Sequence, residues 1–207
     1  IYRSLFNTSD KLTIFDIGSH VGDTVSKYIK KFPNSEIHAF EPASDNFRIL
    51  QTEFSQNPNV YVNRVAIGNN ETTKDLYLLG NLSTGNSLIS PSDRSDVKQT
   101  EEVKVISLDQ YCENRSIQKI DILKIDTQGY EKECLEGALT LIENGFIHLI
   151  KLEIMFHNTY QRISSFCQIE NILNHYGYYL RDICWIKKSS TQNRTLVVDV
   201  IYHRSAV

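Results

Sequence analysis

Acidic residues lie at the ends of the first two strand-like segments of the chain, and two glycines follow the first segment. Asp16 ends the first segment, and Gly18 and Gly22 lie in the loop behind it. Glu41 ends the second segment. Glycine allows a sharp turn and a close approach of a ligand to the backbone, and in doubly wound sheets ligands bind beyond the carboxyl ends of the strands. A carboxylate at that place can accept both hydroxyls of a ribose, so the pattern predicts an adenosine site.

The charge of the loop distinguishes between adenosine ligands. A dinucleotide brings a pyrophosphate, which favours a G-x-G-x-x-G turn at a helix N-terminus. This loop has only Gly-x-x-x-Gly, with Asp16 and Asp23 at its edges. Carboxylates repel a pyrophosphate but attract the sulfonium and ammonium groups of S-adenosylmethionine. We therefore expect S-adenosylmethionine as the cofactor, with an NAD-linked oxidoreductase as a less favoured alternative.

Strand-like and helix-like segments alternate through the first third of the chain and position these residues. The apolar patterns predict strands at Lys11–Asp16, Glu36–Phe40 and Val60–Ile67, a helix at Thr24–Phe32 and a second helix with Ser44 as its N-cap. This alternation is typical of a parallel, doubly wound sheet.

The remainder of the chain predicts a loose insertion followed by a return to the sheet. Residues 69–106 are expected to form an insertion over the sheet that is partly a mobile loop. After it we predict a strand at Ile120–Ile125, a helix at Glu131–Asn144, a strand at Phe146–Ile154, a helix at Ser164–His175 and two final strands at Tyr178–Ile186 and Arg194–Tyr202. The last two strands are joined by a short turn and must be antiparallel.

A mostly parallel seven-stranded sheet that ends in an antiparallel hairpin is the order of class I methyltransferases. We therefore predict an α/β, Rossmann-like class I methyltransferase fold, with residues 1–207 as a single methyltransferase domain.

Successive short motifs between about residues 12 and 204 resemble those of FkbM-type methyltransferases. They are Asp16–Thr24, Phe40–Pro42, Val65–Asn69, Ser107–Asp109, Leu123–Glu131 and Asp199–His203, of which Leu123–Glu131 is the most specific. The resemblance implies S-adenosylmethionine-dependent O-methylation, commonly of a hydroxyl on a sugar or a polyketide-like small molecule. His20 departs from the family pattern, because relatives often carry asparagine there.

The resemblance also implies a set of cofactor contacts. Asp16, Gly18, His20, Gly22 and Thr24 would surround the methionine end, Glu41 would bind the ribose, Ala66 and Ile67 would flank the adenine, and Asp126 would face the transferred methyl group. Ser87 matches a family position and would close over the cofactor, or it is simply a turn serine.

Several groups could remove the proton of the attacking hydroxyl. Asp126 is the leading catalytic carboxylate, and Glu153 and His157 are further catalytic candidates near strand ends. Glu131 is an additional candidate that could instead cap its own helix. Asp126, Glu153 and His157 could also hold a divalent cation, but the favoured interpretation has no metal.

The composition limits the partners. A net charge of −3 and a pI near 6.1 give no general attraction to nucleic acid or membrane, so we expect a small-molecule acceptor such as a carbohydrate or glycoconjugate. The four cysteines are widely separated and are expected to be reduced and buried in a cytoplasmic protein, and the first residues have no signal-peptide layout. A catalytically silent S-adenosylmethionine-binding module is the alternative from another functional class.

Overall fold

A central seven-stranded sheet carries the strand ends at which the predicted site residues lie. The computed structural model describes residues 5–157, 159–191 and 194–204. The strands are β1 (Thr13–Ile17), β2 (Glu36–Phe40), β3 (Val60–Asn63), β4 (Ala66–Ile67), β5 (Thr72–Leu78), β6 (Gln99–Ile106), β7 (Ile120–Ile125), β8 (Ile147–Met155), β9 (Tyr178–Lys188) and β10 (Thr195–Arg204). The helices are α1 (Asp23–Lys31), α2 (Ser44–Phe54), α3 (Leu108–Asn114), α4 (Glu131–Glu136), α5 (Leu139–Glu143) and α6 (Phe166–His175), with a 3-10 turn at Arg94–Asp96.

The order of the strands confirms the predicted fold class. The sheet runs β3-β2-β1-β7-β8-β10-β9. Its first five strands pair in parallel, whereas β10 is antiparallel to both β8 and β9. Strands β1 and β7 are almost wholly buried because apolar side chains pack on both faces of the sheet.

The insertion has more regular structure than the sequence indicates. The predicted strand Val60–Ile67 ends at Asn63 in the main sheet, and the chain then leaves that sheet as β4. Strands β4, β6 and β5 form a separate three-stranded sheet. Its apolar residues pack in one cluster with Ala43 from the loop before α2, which places the small sheet beside the carboxyl end of β2.

Two helix predictions differ from the structure. Helix Glu131–Asn144 is interrupted at Gly137, where a Cβ atom would lie 1.9 Å from the carbonyl oxygen of Gly68, so the backbone of the insertion passes too close for a larger residue. Ser44 is the first residue of α2 rather than its N-cap. Its backbone N–H and hydroxyl both donate to Glu101 of β6 instead.

The prediction that all four cysteines are buried is wrong for two of them. Cys112 and Cys134 are buried, but Cys167 and Cys184 are exposed, and all four are free. Within the described ranges, no helix is both long enough and apolar enough to cross a lipid bilayer.

Candidate functional site

A cleft of about 670 Å³ opens at the carboxyl ends of β1, β2, β7 and β8. The small sheet and the segment after β5 cover one side of it. Ten of the predicted site residues line it: Gly18, His20, Thr24, Glu41, Ala66, Ile67, Ser87, Asp126, Glu153 and His157. The tertiary structure therefore brings cofactor and catalytic candidates from six separate chain segments into one cavity.

Glu41 is buried at the β2 end of the cleft and is fixed by backbone donors. Its two carboxylate oxygens accept the N–H groups of His20, at 2.9 Å, and Ala43, at 3.0 Å. Burial raises the pKa of Glu41, and these hydrogen bonds oppose that rise by stabilising the charged form. The side-chain amide of Asn46 donates a third, longer hydrogen bond at 3.4 Å. Since a carboxylate has about four acceptor sites, Glu41 can still accept a hydroxyl group of a ligand.

The turn after β1 is shaped by close backbone contact. Gly18 has a φ of +79°, and a Cβ atom there would lie 1.9 Å from the carbonyl oxygen of Asp126. His20 has a φ of +52°, and its ring Nε2 donates to the carbonyl oxygen of Leu82 at 2.9 Å. The residue that departs from the family pattern therefore connects the turn to the insertion.

Asp16 and Gly22 differ from the prediction, because neither lines the cleft. The Asp16 carboxylate is fully buried below the turn and lies 3.0 Å from the ammonium group of Lys124. Gly22 makes room for apolar packing: a Cβ atom there would lie 2.8 Å from Leu50 and 2.4 Å from Phe54. Both residues lie beneath the turn rather than on the wall of the cleft.

Asp126 and Glu153 meet at the β7 and β8 ends of the cleft through Gln128. The side-chain amide of Gln128 donates to one oxygen of each carboxylate, at 2.8 Å in both cases. Burial, together with the charge of Asp126, raises the pKa of Glu153 to about 7. A carboxyl group with that pKa exchanges a proton near neutral pH, which is what a general base requires.

Lys124 supports this pair from below. Its buried ammonium group lies 3.0 Å from Asp16 and 3.4 Å from Asp126. The two carboxylates raise the pKa of Lys124 despite its burial, so the lysine remains charged. Sequence reasoning missed this residue, although a charged side chain inside the apolar run Ile120–Ile125 was a signal for it.

Glu131 binds the loop before α4 and does not cap its own helix, which has no side-chain cap. One of its carboxylate oxygens accepts the backbone N–H groups of Thr127 and Gly129, both at 3.0 Å. Burial raises the pKa of Glu131 to about 7, but the side chain does not line the cleft. It fixes the loop in which Gln128 takes a φ of +56°. Sequence reasoning missed Gln128, since nothing in its spacing indicates a bridge between two carboxylates.

His157 lies at the outer part of the cleft. Burial and the nearby cations Lys187 and Arg194 lower the pKa of His157, which keeps the ring neutral at neutral pH. Its Nδ1 is hydrogen-bonded to the hydroxyl of Thr159. Among the described residues, no group of three or more His, Cys, Asp and Glu side chains is arranged to hold a metal ion.

Ser87 connects the insertion to the catalytic loop. Its hydroxyl donates to the carbonyl oxygen of Gln128 at 2.9 Å and accepts the N–H of Ile89 at 3.0 Å. The side chain lines the cleft but is buried. Ser87 therefore binds the segment that covers the cleft to the loop after β7, while its contact with the cofactor stays a prediction.

Ser87→Ala is expected to destabilise the protein by about 1–3 kcal/mol, because it leaves a partly buried N–H and a partly buried carbonyl group without their buried hydroxyl partner. Urea unfolding measures this change. The exposed Ser92 of the same segment provides the control, and Ser92→Ala should leave the midpoint unchanged. Equal midpoints for the two variants would contradict the assigned role of Ser87.

Comparison with known proteins gives a family and a fold. The family model described as Methyltransferase FkbM domain matches residues 16–180. A search of curated proteins finds no match. Among solved structures, an FkbM methyltransferase from Methylobacillus flagellatus KT superposes with a TM-score of 0.58 at 16% identity, over 95% of this chain and 45% of that one.

Two further solved structures share the fold at low identity. Fibrillarin, a pre-rRNA processing protein of Methanococcus jannaschii, has a TM-score of 0.54 at 15% identity, over 98% of this chain and 70% of that one. Precorrin-6y C5,15-methyltransferase from Geobacter metallireducens has a TM-score of 0.51 at 13% identity, over 95% and 82% of the two chains. This chain spans less than half the length of the Methylobacillus protein.

Proposed function

Since this chain belongs to the FkbM methyltransferase domain family, we propose that it transfers the methyl group of S-adenosylmethionine to a hydroxyl oxygen of a sugar or another small molecule. S-adenosylmethionine is the cofactor that the family and the fold imply. The observation that carries the proposal is the pairing of Asp126 and Glu153 through Gln128 in the same cleft as Glu41.

The residues present fit this cofactor. Buried Glu41 offers a carboxylate to the ribose hydroxyls, and Ala66 and Ile67 offer small and apolar surface beside it for the adenine. Gly18, His20 and Thr24 line the part of the cleft above β1, where the methionine end would lie. When bound there, S-adenosylmethionine supplies an electrophilic methyl group on a positively charged sulfur.

Glu153 would accept the proton of the acceptor hydroxyl as the oxygen attacks. Its raised pKa matches a hydroxyl-activating base at neutral pH. Gln128 holds both carboxylates in place, and the Asp126 carboxylate, supported by Lys124, provides negative charge close to where the sulfonium would lie. Positioning of the hydroxyl supplies much of the remaining rate.

His157 is a weaker candidate for the base. Its Nδ1 is already engaged by Thr159. We propose that it borders the acceptor instead. We also propose a cytoplasmic location, where a reducing environment keeps the exposed Cys167 and Cys184 as thiols.

The test uses labelled cofactor and calorimetry. Incubation with methyl-labelled S-adenosylmethionine and a panel of sugars should transfer label to an acceptor as an ether. Cofactor binding without transfer to any acceptor would favour the silent binding module instead. No heat of cofactor binding at all would contradict the proposed function.

Glu41→Gln is expected to weaken S-adenosylmethionine binding by about tenfold to hundredfold. The reason is that hydrogen bonds to a charged group contribute about 1.5–3 kcal/mol each. Isothermal titration calorimetry measures the change. Glu53→Gln, at an exposed position of α2, is the matched control and should bind as the unmodified protein does. Unchanged affinity in Glu41→Gln would contradict the assignment of the ribose to this part of the cleft.

A further inference from the structure

We propose that the β9 end of the cleft binds a sugar ring that carries an anionic group, with Trp185 stacked on the ring and Lys187 and Arg194 receiving the anion. This inference deepens the proposed function and depends on it for the identification of the Glu153 side as the acceptor side. The anionic group is a carboxylate or a phosphate, since both suit a lysine and an arginine.

The sheet register aligns Trp185 with the catalytic carboxylate. Trp185 of β9 is opposite Asp199 of β10, and Asp199 is opposite Glu153 of β8. Neighbouring strands lie 4.7–4.9 Å apart, so the backbones of Trp185 and Glu153 are about 10 Å apart. Asp199, which lies between them in the register, is paired with Lys151 and does not line the cleft, so the interval that remains between the indole and the carboxylate is about the size of a single sugar ring.

Two residues further along the same three strands, the paired positions provide an apolar surface and a cation. Lys187 is opposite Val197, and Val197 is opposite Met155. Met155 and Val197 pack with Tyr160 in a small buried cluster, and these three side chains line the cleft together with Lys187. The surface beside Glu153 is thus apolar, and its outer border on β9 is positive.

Trp185 is placed to contact a ligand rather than the core. Its side chain lines the cleft and is 48% exposed. A large aromatic ring with one wet face is typical of a binding surface, where it provides a flat apolar platform. The apolar face of a sugar ring is suited to that platform.

Neither cation near Trp185 is neutralised by the described part of the chain. No carboxylate among those residues forms an ion pair with Lys187 or Arg194. The nearby Asp199 is already paired with Lys151 at 2.6 Å. Lys187 and Arg194 instead act together on His157, whose pKa both of them lower.

A small depression of about 340 Å³ adjoins the cleft at this place. It is lined by Phe156, His157, Thr159 and Arg194. His157 and Thr159 also line the main cleft, so the two spaces are continuous. An anionic substituent of a ring on Trp185 can enter a space bordered by Arg194.

The single tryptophan of the chain makes this site directly observable. Trp185 is the only tryptophan, so intrinsic fluorescence reports on it alone. Titration with methyl glucuronide and with glucose 6-phosphate should change the fluorescence in a saturable way at low salt. Methyl glucoside and inorganic phosphate should bind at least about tenfold more weakly than the anionic sugar that binds best. High salt should weaken the anionic sugars, because screening reduces ion pairing at exposed sites.

Matched variants separate this site from general surface charge. Lys187→Gln and Arg194→Gln should each weaken binding of the anionic sugar by about tenfold or more. Lys188→Gln changes the neighbouring residue of β9, which does not line the cleft, and should leave binding unchanged. Equal losses in all three variants would overturn the proposal.

Other outcomes also decide against it. If methyl glucoside binds as tightly as methyl glucuronide, the anionic group has no role. If inorganic phosphate binds as tightly as the best anionic sugar, the sugar ring has no role. The proposal is also overturned if neither anionic sugar changes the fluorescence of Trp185. It is likewise overturned if a single-stranded RNA oligonucleotide quenches that fluorescence at lower concentrations than the anionic sugars do. Calorimetry with S-adenosylmethionine on the same sample distinguishes failure of this inference from failure of the proposed function. If the cofactor binds but no anionic sugar does, only this inference is rejected. If the cofactor does not bind, the proposed function is rejected.

Discussion

Glu153→Gln is expected to lower kcat for methyl transfer by about 10²–10⁴-fold, which is the usual contribution of a general base. Glutamine keeps the shape of the side chain but cannot accept the proton of the acceptor hydroxyl. Single-turnover transfer of label from methyl-labelled S-adenosylmethionine measures the loss. Cofactor affinity should change little, because Glu41 and the turn after β1 are untouched.

The pH profile gives a second measurement of the same assignment. The carboxylate form of Glu153 is the active base, and its pKa lies at about 7, so activity should rise with pH through neutrality and then level off. Glu153→Gln should lose that rise. An unaltered rise in the variant would assign the base to another group, such as His157.

Stability separates a catalytic loss from a folding defect. The pKa of Glu153 is raised to about 7 in the folded protein, so ionising this side chain reduces stability as pH rises from about 4.5 to about 7, after which the loss is complete. Glu153→Gln removes that penalty and should leave the free energy of unfolding at pH 8 unchanged or higher. Glu113→Gln, on the exposed end of α3, is the control for both activity and stability.

Lys124→Met is expected to lower the free energy of unfolding by about 3–5 kcal/mol, the usual cost of removing one partner from a buried ion pair. The change leaves the fully buried Asp16 carboxylate without its cation. Urea unfolding at neutral pH measures the effect. The variant should regain stability as pH falls, because burial already favours the protonated form of Asp16.

The double variant Asp16→Asn/Lys124→Met tests the cause of this loss. Replacing the carboxylate with an amide removes the uncompensated charge, so the double variant should be more stable than Lys124→Met alone. Equal stability of the two would mean that the loss comes from packing of the lysine stem rather than from the ion pair.

The fold was largely predictable because local patterns determine its elements. Short apolar runs that end in Asp16 and Glu41 predict strands close to the observed β1 and β2, and the short turn after Ile186 predicts an antiparallel end to the sheet. The need for glycine at Gly137, where the helix is interrupted, was not predictable from the same patterns, because it depends on the backbone of Gly68, far away in the chain.

The sequence predicted which residues come together at the candidate site better than it predicted which way their side chains point. Carboxyl ends of parallel strands meet at one edge of a sheet, so residues after β1, β2, β7 and β8 had to come together. Which way each side chain points depends on its neighbours. Asp16 turns down to a lysine on the adjacent strand, and exposed Trp185 faces the cleft from an edge strand.

The sequence by itself determined the sheet, the family and the position of Glu41, since these depend on short apolar runs and on residue types at strand ends. Only the tertiary structure decided that Gln128 joins Asp126 to Glu153 and that Lys124 lies beneath them. Those contacts join side chains at the ends of three neighbouring strands, β1, β7 and β8, with the loop after β7, in which Gln128 has a positive φ. No local pattern of residues encodes such an arrangement.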